Sequence, residues 1–376
     1  MVRSVTSTLA NHAMQYSRVP AGVCDSLDQI QRNFMWGGNN DSRKPALVRW
    51  SSVCTPKDQG GLGIRDSRMM NKALLAKRGW QLYSNSNSLW SKILKAKYLT
   101  THSFLQVQPK NDSSATWKSI LSAHHTVTKG IAFSVRNGAT ARFWLDTWIG
   151  TEPLISKAKT SIPAAEQQLT VNKFWGDNTW NWEKIGNTLP QEVIFLLNSN
   201  FLDVVSPDDD VLYWKHTTNG LFTTKSAYLS LVQVPNQPVN SNWRKIWDLN
   251  CVPKHKSLIW LMYHDRVLTN AMRVRRRMTQ DSRCLRCGAA EEMTIHVFRD
   301  CPESAAVWRY WRTPDQVHQW RSLSLQQWIE KNISNGSRLM KYNIPWNSAF
   351  ATICWYLWLG RNHFIFRKGE SWIPTH

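Results

Sequence analysis

A chain of 376 residues with 42% apolar content is long enough for two or three domains with real cores. Its 47 Lys plus Arg against 26 Asp plus Glu give a formal charge of +21, which favours polyanionic partners and salt-sensitive binding without bearing on the fold. The longest apolar run, 350–359, is about half a membrane span, so no transmembrane helix is expected, and no signal peptide is read at the start.

Residues 1–100 read as helical. Met69, Met70, Ala73, Leu74, Trp80 and Tyr83 recur at helical spacing, with Lys72, Lys77 and Arg78 on other faces. Leu89, Trp90, Ile93, Leu94 and Tyr98 continue the pattern, with Lys92, Lys95 and Lys97 outward. Gly60-Gly61-Leu62-Gly63 lacks the lysine and hydroxyl of a phosphate-binding loop and reads as a turn. Residues 130–230 change character. Two β-prone runs, 131–136 and 139–145, flank Asn137-Gly138, a hairpin signal. Asn219-Gly220 repeats it between Leu212-Tyr213-Trp214 and Leu221-Phe222-Thr223. Asp208-Asp209-Asp210, after Pro207, reads as a solvated loop entering a strand rather than a metal site. Thr224 is expected to cap a short helix over 225–232. The stretch 233–242, with Pro235 and Pro238, reads as a linker. Helices are predicted near 243–248 and 254–278, through Trp308 and Trp311, and near 347–366. The 22 tryptophans, scattered from Trp36 to Trp372, are expected to anchor cores rather than to form a base-stacking platform.

Cys284, Cys287, His296 and Cys301 carry the most chemistry, spaced C-x2-C-x8-H-x4-C. A two-residue gap lets both thiolates of a turn reach one metal, and the second pair closes a tetrahedral Zn²⁺ site through a short loop. Gly288, directly after the second thiol, is suited to the positive φ of such a turn. All four positions are filled, so a structural zinc is expected, with no open position for a catalytic water. Arg273, Arg275, Arg276, Arg277, Arg283 and Arg286 crowd the first thiol, a positive surface suited to nucleic acid, by bidentate phosphate contacts and stacking on bases. Cys24, Cys54, Cys251 and Cys354 have no framework spacing, which points to a reducing compartment, nuclear or cytoplasmic. His124-His125 has no nearby nucleophile, and neither Cys54 nor Cys251 sits in a recognisable activated setting.

Taken together, these residues resemble the region downstream of the polymerase core in plant LINE-type (non-LTR) retrotransposon polyproteins, which carries the reverse transcriptase zinc-binding domain. The resemblance runs through Phe34-Met35-Trp36-Gly37-Gly38, Trp50, Pro56-Lys57, Gly60-Gly61-Leu62-Gly63, Asn71, Ala73-Leu74-Leu75, Lys97-Tyr98, Gly138 and Phe143-Trp144 with Asp146 and Trp148. It continues through Trp214, Gly220-Leu221-Phe222, Lys225-Ser226-Ala227-Tyr228, Trp247, Pro253-Lys254, Trp260, Cys284, Cys287, Glu292, His296, Cys301 and Trp308. It implies RNA or DNA handling by the parent polyprotein, with the zinc module beside the polymerase.

The paired carboxylates that such polymerases place in a Tyr-x-Asp-Asp-like hairpin are not found, and after Asp315 only Glu330 and Glu370 are acidic, too few for a ribonuclease H cluster. The last helix, with Trp358, Arg361-Asn362 and Phe366, resembles a connector toward that domain. The expectation is therefore an α+β protein, mainly helical, with a small β-hairpin-rich middle and a zinc-stapled helical carboxy-terminal domain. Its expected segments are 1–105 (helical, downstream of a missing polymerase core), 106–205 (β-rich), 206–312 (zinc-binding) and 313–376 (connector toward a missing ribonuclease H). Its expected role is to bind nucleic acid, RNA or an RNA–DNA hybrid, with no catalysis of its own. The alternatives are a protein-interaction scaffold or a decayed element copy.

Overall fold

The computed structural model describes residues 10–38, 44–84, 87–100, 104, 107, 110–232, 240–289, 291–312, 318–339 and 342–366. The chain folds into two compact units, one from Leu27–Asp66 and Val234–His376, the other from Thr8–Ser26 and Ser67–Gln233. These units cut across the four sequence segments. Residues 1–105 contribute to both, and 206–312 divides between Gln233 and Val234. The proposed linker lies mostly at 233–239, outside the described residues.

In the unit containing Ser67–Gln233, the helix Ser67–Tyr83 is the axis. Its buried Met70, Ala73, Leu74, Leu75 and Leu82 fall at the predicted helical spacing. It packs against Thr224–Leu231, His124–Gly130 and Ala115–Leu121, so segments far apart in sequence share one core. Trp117, Phe143, Trp144, Phe174 and Trp180 fill that core.

The strand Ile131–Ser134 departs from expectation. It pairs antiparallel with Val211–Trp214, in register Ile131 to Trp214, not with 139–145, which is irregular. The reason is the Asp208-Asp209-Asp210 run, also misread in part. Asp210 is buried, and its two carboxylate oxygens accept from the backbone N–H groups of Arg136, Gly138, Thr140 and Ala141 at 2.8–2.9 Å. Those amides are therefore unavailable to a hairpin ladder, and the loop wraps around the carboxylate instead. Asp209 accepts from the Asn137 side chain and Asp208 pairs with Arg136, and these first two residues of the run sit toward solvent. The neighbouring Asn219-Gly220 turn forms, with Gly220 at φ +70° and its carbonyl accepting from Trp214 N–H, but 221–223 is not a strand. The next helix is capped one residue earlier than expected, by Thr223, in a reciprocal box with Ser226. The one hairpin of the middle segment among the described residues was not anticipated. Trp175–Gly176 pairs with Thr179–Trp180 across Asp177 and Asn178, both at positive φ.

The other unit is helical: Ser241–Asp248, Pro253–Tyr263, Asn270–Arg275, Pro302–Trp311, Leu325–Ile333 and Trp346–Phe366. The helix predicted over 254–278 breaks after Tyr263, where Asp265 adopts φ +51°. As expected, tryptophans anchor the core. Trp308 is fully buried, with ring centroids 5.6 Å from Trp320, 5.8 Å from Trp328 and 5.7 Å from Phe350. Buried indole N–H groups need acceptors, and here Trp308 donates to the Phe298 carbonyl, Trp346 to Asn332 and Trp260 to the Gly60 carbonyl. The glycine turn is therefore structural. Gly60 sits at φ +90°, and a Cβ there would lie 2.8 Å from the Trp243 ring. The three strand pairs of the described residues are all antiparallel and two-stranded, so the fold is α+β and mainly helical. No helix among the described residues is long and apolar enough to cross a membrane.

Candidate metal centre and arginine surface

The metal-ligand residues lie in one short stretch that folds back on itself. Cys284 N–H donates to the Ala289 carbonyl and Gly288 N–H to the Cys284 carbonyl, closing a tight turn with Gly288 at φ +75°. This is the positive φ that the sequence called for. The second half is a single π-helical turn, His296–Asp300, in which Cys301 N–H donates to the His296 carbonyl. Pro302 then starts the helix Pro302–Trp311 with Cys301 at its cap position. The extra residue of a π turn is a common device at functional sites, and here it brings His296 and Cys301 to the same side.

The result is convergent. One ligand atom from each of Cys284, Cys287, His296 and Cys301 lies within 4.8 Å of every other. The Cys287 Sγ stands 3.4 Å from His296 Nε2. Tetrahedral Zn²⁺ with bonds near 2.0–2.3 Å needs donor atoms roughly 3.3–3.8 Å apart, so this set encloses one cation after a small contraction. Cys284 and Cys301 are buried, while Cys287 is exposed. Burial pushes the Cys301 thiol up to about 12; the Arg286 guanidinium pulls it back, and the neighbouring Cys284 and Cys287 raise it further. Burial also lowers the His296 imidazole below its ordinary value, which favours the neutral, ligating form. A bound divalent cation deprotonates a coordinating thiol outright. The donor set thus fits zinc and leaves no protein-free position.

Behind the ligands lies a polar network that sequence reasoning did not assemble. Glu292 and Arg361 form a buried ion pair at 2.5 Å, both side chains almost inaccessible. Asn270 joins them: its N–H donates to Glu292, its carboxamide nitrogen to the Arg283 carbonyl, and its oxygen accepts from Arg361. The carboxy-terminal helix is thereby tied to the loop that carries the metal ligands. Both residues stood among the resembling positions, but nothing in their spacing showed that they meet across 69 positions.

The six arginines separate by role. Arg286 has only 4% of its side chain exposed, pairs with Glu303 at 3.2 Å and reaches the Val297 carbonyl. It is a buried cation beside thiol ligands, where three thiolates on a Zn²⁺ would leave a net negative charge. Arg276 donates to the carbonyls of Ala46 and Leu47, both at 2.7 Å, and straps that segment down. Arg283 forks onto Asp281, whose carboxyl it holds below the ordinary value, and Arg273 donates to Asn270. Arg275 and Arg277 are exposed, with no side-chain hydrogen bond or ion pair among the described residues. Arg277 sits at φ +57°, unusual outside glycine and asparagine.

Comparison with known proteins decides the ancestry. Residues 222–308 match the family described as zinc-binding in reverse transcriptase, a span that holds all four candidate ligands. An uncharacterized mitochondrial protein of Arabidopsis thaliana is 30% identical over 142 residues, covering 38% of this chain and 92% of the relative. The chain belongs to that protein's family and is retroelement-derived. A putative ribonuclease H protein of the same plant is 32% identical over 377 residues, 99% of this chain. The chain spans 60% of that relative's length.

That second relative corrects one expectation. The chain was expected to be no enzyme, yet a protein aligned with 99% of it bears the name of an enzyme family. The expectation rested on the absence of a Tyr-x-Asp-Asp-like hairpin, on the few acidic residues after Asp315 and on the lack of a recognisable nucleophile arrangement. Residues of a metal-dependent active site are gathered by folding from distant positions, so their absence from one stretch of sequence carries no weight.

Proposed function

We propose that this chain is a zinc-stapled nucleic-acid-binding part of a LINE-type (non-LTR) plant retroelement reverse transcriptase, with RNA or an RNA–DNA hybrid as its ligand. Cys284, Cys287, His296 and Cys301 hold one structural Zn²⁺, which fixes the loop beside Arg275 and Arg277. The reading is supported by four convergent donors and by two exposed arginines at and just beyond the end of the helix Asn270–Arg275, whose Asn270 N–H donates to Glu292 within the ligand stretch. Arg273 and Arg283 flank them, whereas Arg276 and Arg286 are committed to internal contacts and act by holding the surface in place. The net charge of +21 supplies long-range attraction to phosphates. The match to the family described as zinc-binding in reverse transcriptase and the ribonuclease H in the longer relative's name support RNA as the ligand class.

The test is a titration with RNA, single-stranded DNA and duplex DNA at two salt concentrations. Arg275→Gln with Arg277→Asn, the asparagine chosen because it tolerates positive φ, should weaken binding several-fold at low salt. It should also reduce the salt slope by about one per lost contact, with zinc retained. Lys92→Ala with Lys97→Ala removes equal charge from a helix in the other unit. Equal losses from the two pairs would mean diffuse attraction and contradict a binding site at the metal centre.

A further inference from the structure

A groove of about 630 Å³ lies in the unit that carries the metal centre, lined by Asn250, Cys251, Trp311, Arg338, Tyr342 and Asn343 above an apolar floor. Its size falls within the range of roughly 300–1,000 Å³ typical of small-ligand sites. One wall is the strand pair Arg338–Leu339 with Ile344–Pro345. Asn343, at φ +51°, accepts from the Arg338 guanidinium through its backbone and side-chain oxygens at 3.2 and 2.7 Å, which fixes the arginine at the groove edge. Trp311, at the end of Pro302–Trp311, also lines the groove. Tyr310 is 74% exposed and packs edge-on against Trp311 at 5.2 Å, and Trp311 lies 6.0 Å from the Tyr342 ring, itself 47% exposed.

The composition of this lining is specific. Two lining rings, Trp311 and Tyr342, continue with the neighbouring Tyr310 into a partly exposed aromatic row, whereas nine tryptophans among the described residues are buried in cores. The groove-lining residues include an arginine and several amide or hydroxyl groups, but no Asp or Glu. Unpaired bases stack on such rings irrespective of sequence, amides and hydroxyls meet base edges, and an arginine fixed at the rim meets the phosphate between them. A purely apolar peptide would leave the arginine and the amides unmatched, and a carboxylate alone would leave the aromatic row uncovered. We infer that this groove receives unpaired bases of a single-stranded nucleic acid, as a second contact surface distinct from the arginines at the metal centre. The inference rests on the nucleic-acid reading above and specifies which strand state the chain binds.

Cys251 supplies a reporter. It lines the groove and is partly exposed, whereas Cys24, Cys54 and Cys354 are buried. The experiment uses the full chain, zinc-loaded, with a short oligouridylate and a duplex of equal length. Alkylation of Cys251 is followed by site-resolved mass spectrometry, and affinity is measured for Tyr342→Ala and Arg338→Gln. Both variants alter exposed side chains and should keep the wild-type thermal midpoint. Trp311 is left intact because it also packs on the core.

Saturating oligouridylate should slow Cys251 alkylation several-fold, and duplex should not. Tyr342→Ala should weaken single-strand binding about 5- to 100-fold, the range for losing one stacked base, and leave duplex binding unchanged. Unchanged Cys251 reactivity at saturation, or equal losses for single strand and duplex, would overturn the groove assignment. Protection that grows with protein concentration without RNA would also overturn it, by showing a second copy as the occupant. If the Arg275 and Arg277 pair lowers affinity while the groove variants do not, the groove fails and the metal-centre reading stands. If neither set lowers affinity, the nucleic-acid reading itself fails.

Discussion

The two units solve the same problem by opposite chemistry. Each must hold an irregular loop whose backbone cannot join a long ladder. In one, Asp210 gathers the loop at 136–141 by accepting four backbone N–H groups on a single carboxylate. In the other, three thiols and an imidazole gather the loop from Cys284 to Cys301 around a cation site, with Arg286 as a buried positive neighbour. The first needs only hydrogen bonds already present in the protein. The second depends on an ion from outside, so its stability is set by metal concentration and by pH, because each ligand must be deprotonated.

Removing the metal should separate the two most widely. Cys284→Ser or Cys301→Ser should abolish zinc binding and unfold the ligand loop, since structural zinc contributes on the order of 10 kcal/mol of binding that is also folding free energy. The Asp210 loop should keep its native structure in both variants. Cys54→Ser, a buried thiol outside the cluster, should leave zinc content unchanged. Metal analysis and limited proteolysis check all three.

The carboxylate clamp should respond to its own substitution. Asp210→Ala leaves four amides without their acceptor and should cost roughly 3–5 kcal/mol by denaturant titration. Asp210→Asn keeps one acceptor oxygen and should cost less. Zinc content should not change in either, and a zinc loss would mean that the two anchoring devices are coupled.

The buried pair behind the metal ligands comes next. Arg361→Met strands the Glu292 carboxylate in the core and should destabilise by about 3 kcal/mol or more. Glu292→Gln added to it should recover part of that loss, because no charge then remains buried. A double variant no more stable than the single would show that the network matters for its hydrogen bonds rather than its charge.

The smallest effect concerns pH. Burial lowers the His264 imidazole below its ordinary value, and its Nε2 lies 2.8 Å from the Gly60 carbonyl. A depressed folded value means that the unfolded chain binds the proton first. The associated stability is present above about pH 6.5 and is lost as pH falls below it. The thermal midpoint should therefore drop between pH 7.5 and 5.5, and His264→Gln should reduce that drop by an amount worth less than about 1 kcal/mol. An unaltered drop would assign the acid sensitivity to other groups, among them His216, His255 and the metal ligands.

The sequence made some of this legible and hid the rest for identifiable reasons. Helical spacing located Ser67–Tyr83 because it buries a periodic face, and the apolar run at 350–359 located Trp346–Phe366. The four metal ligands were readable because chelation demands short spacing within one stretch. Partners far apart in the chain were not readable. Asp210 meets amides some 70 positions away, so it looked like an exposed acidic run, and it cancelled the hairpin that Asn137-Gly138 announced. Arg286 looked like a surface cation because charge alone does not reveal that a thiol-rich centre lies behind it. Local chemistry is written in the sequence, whereas the identity of a distant partner is set by packing.

Hydrogen exchange with mass spectrometry, on the zinc-loaded chain before and after a zinc chelator, tests most directly whether one metal site staples the loop from Cys284 to Cys301. The expected result is one zinc per chain by native mass, with protection lost after chelation across 282–301 and retained at 136–141. Equal protection at 282–301 with the metal removed, or no zinc bound to the folded chain at the outset, would contradict it.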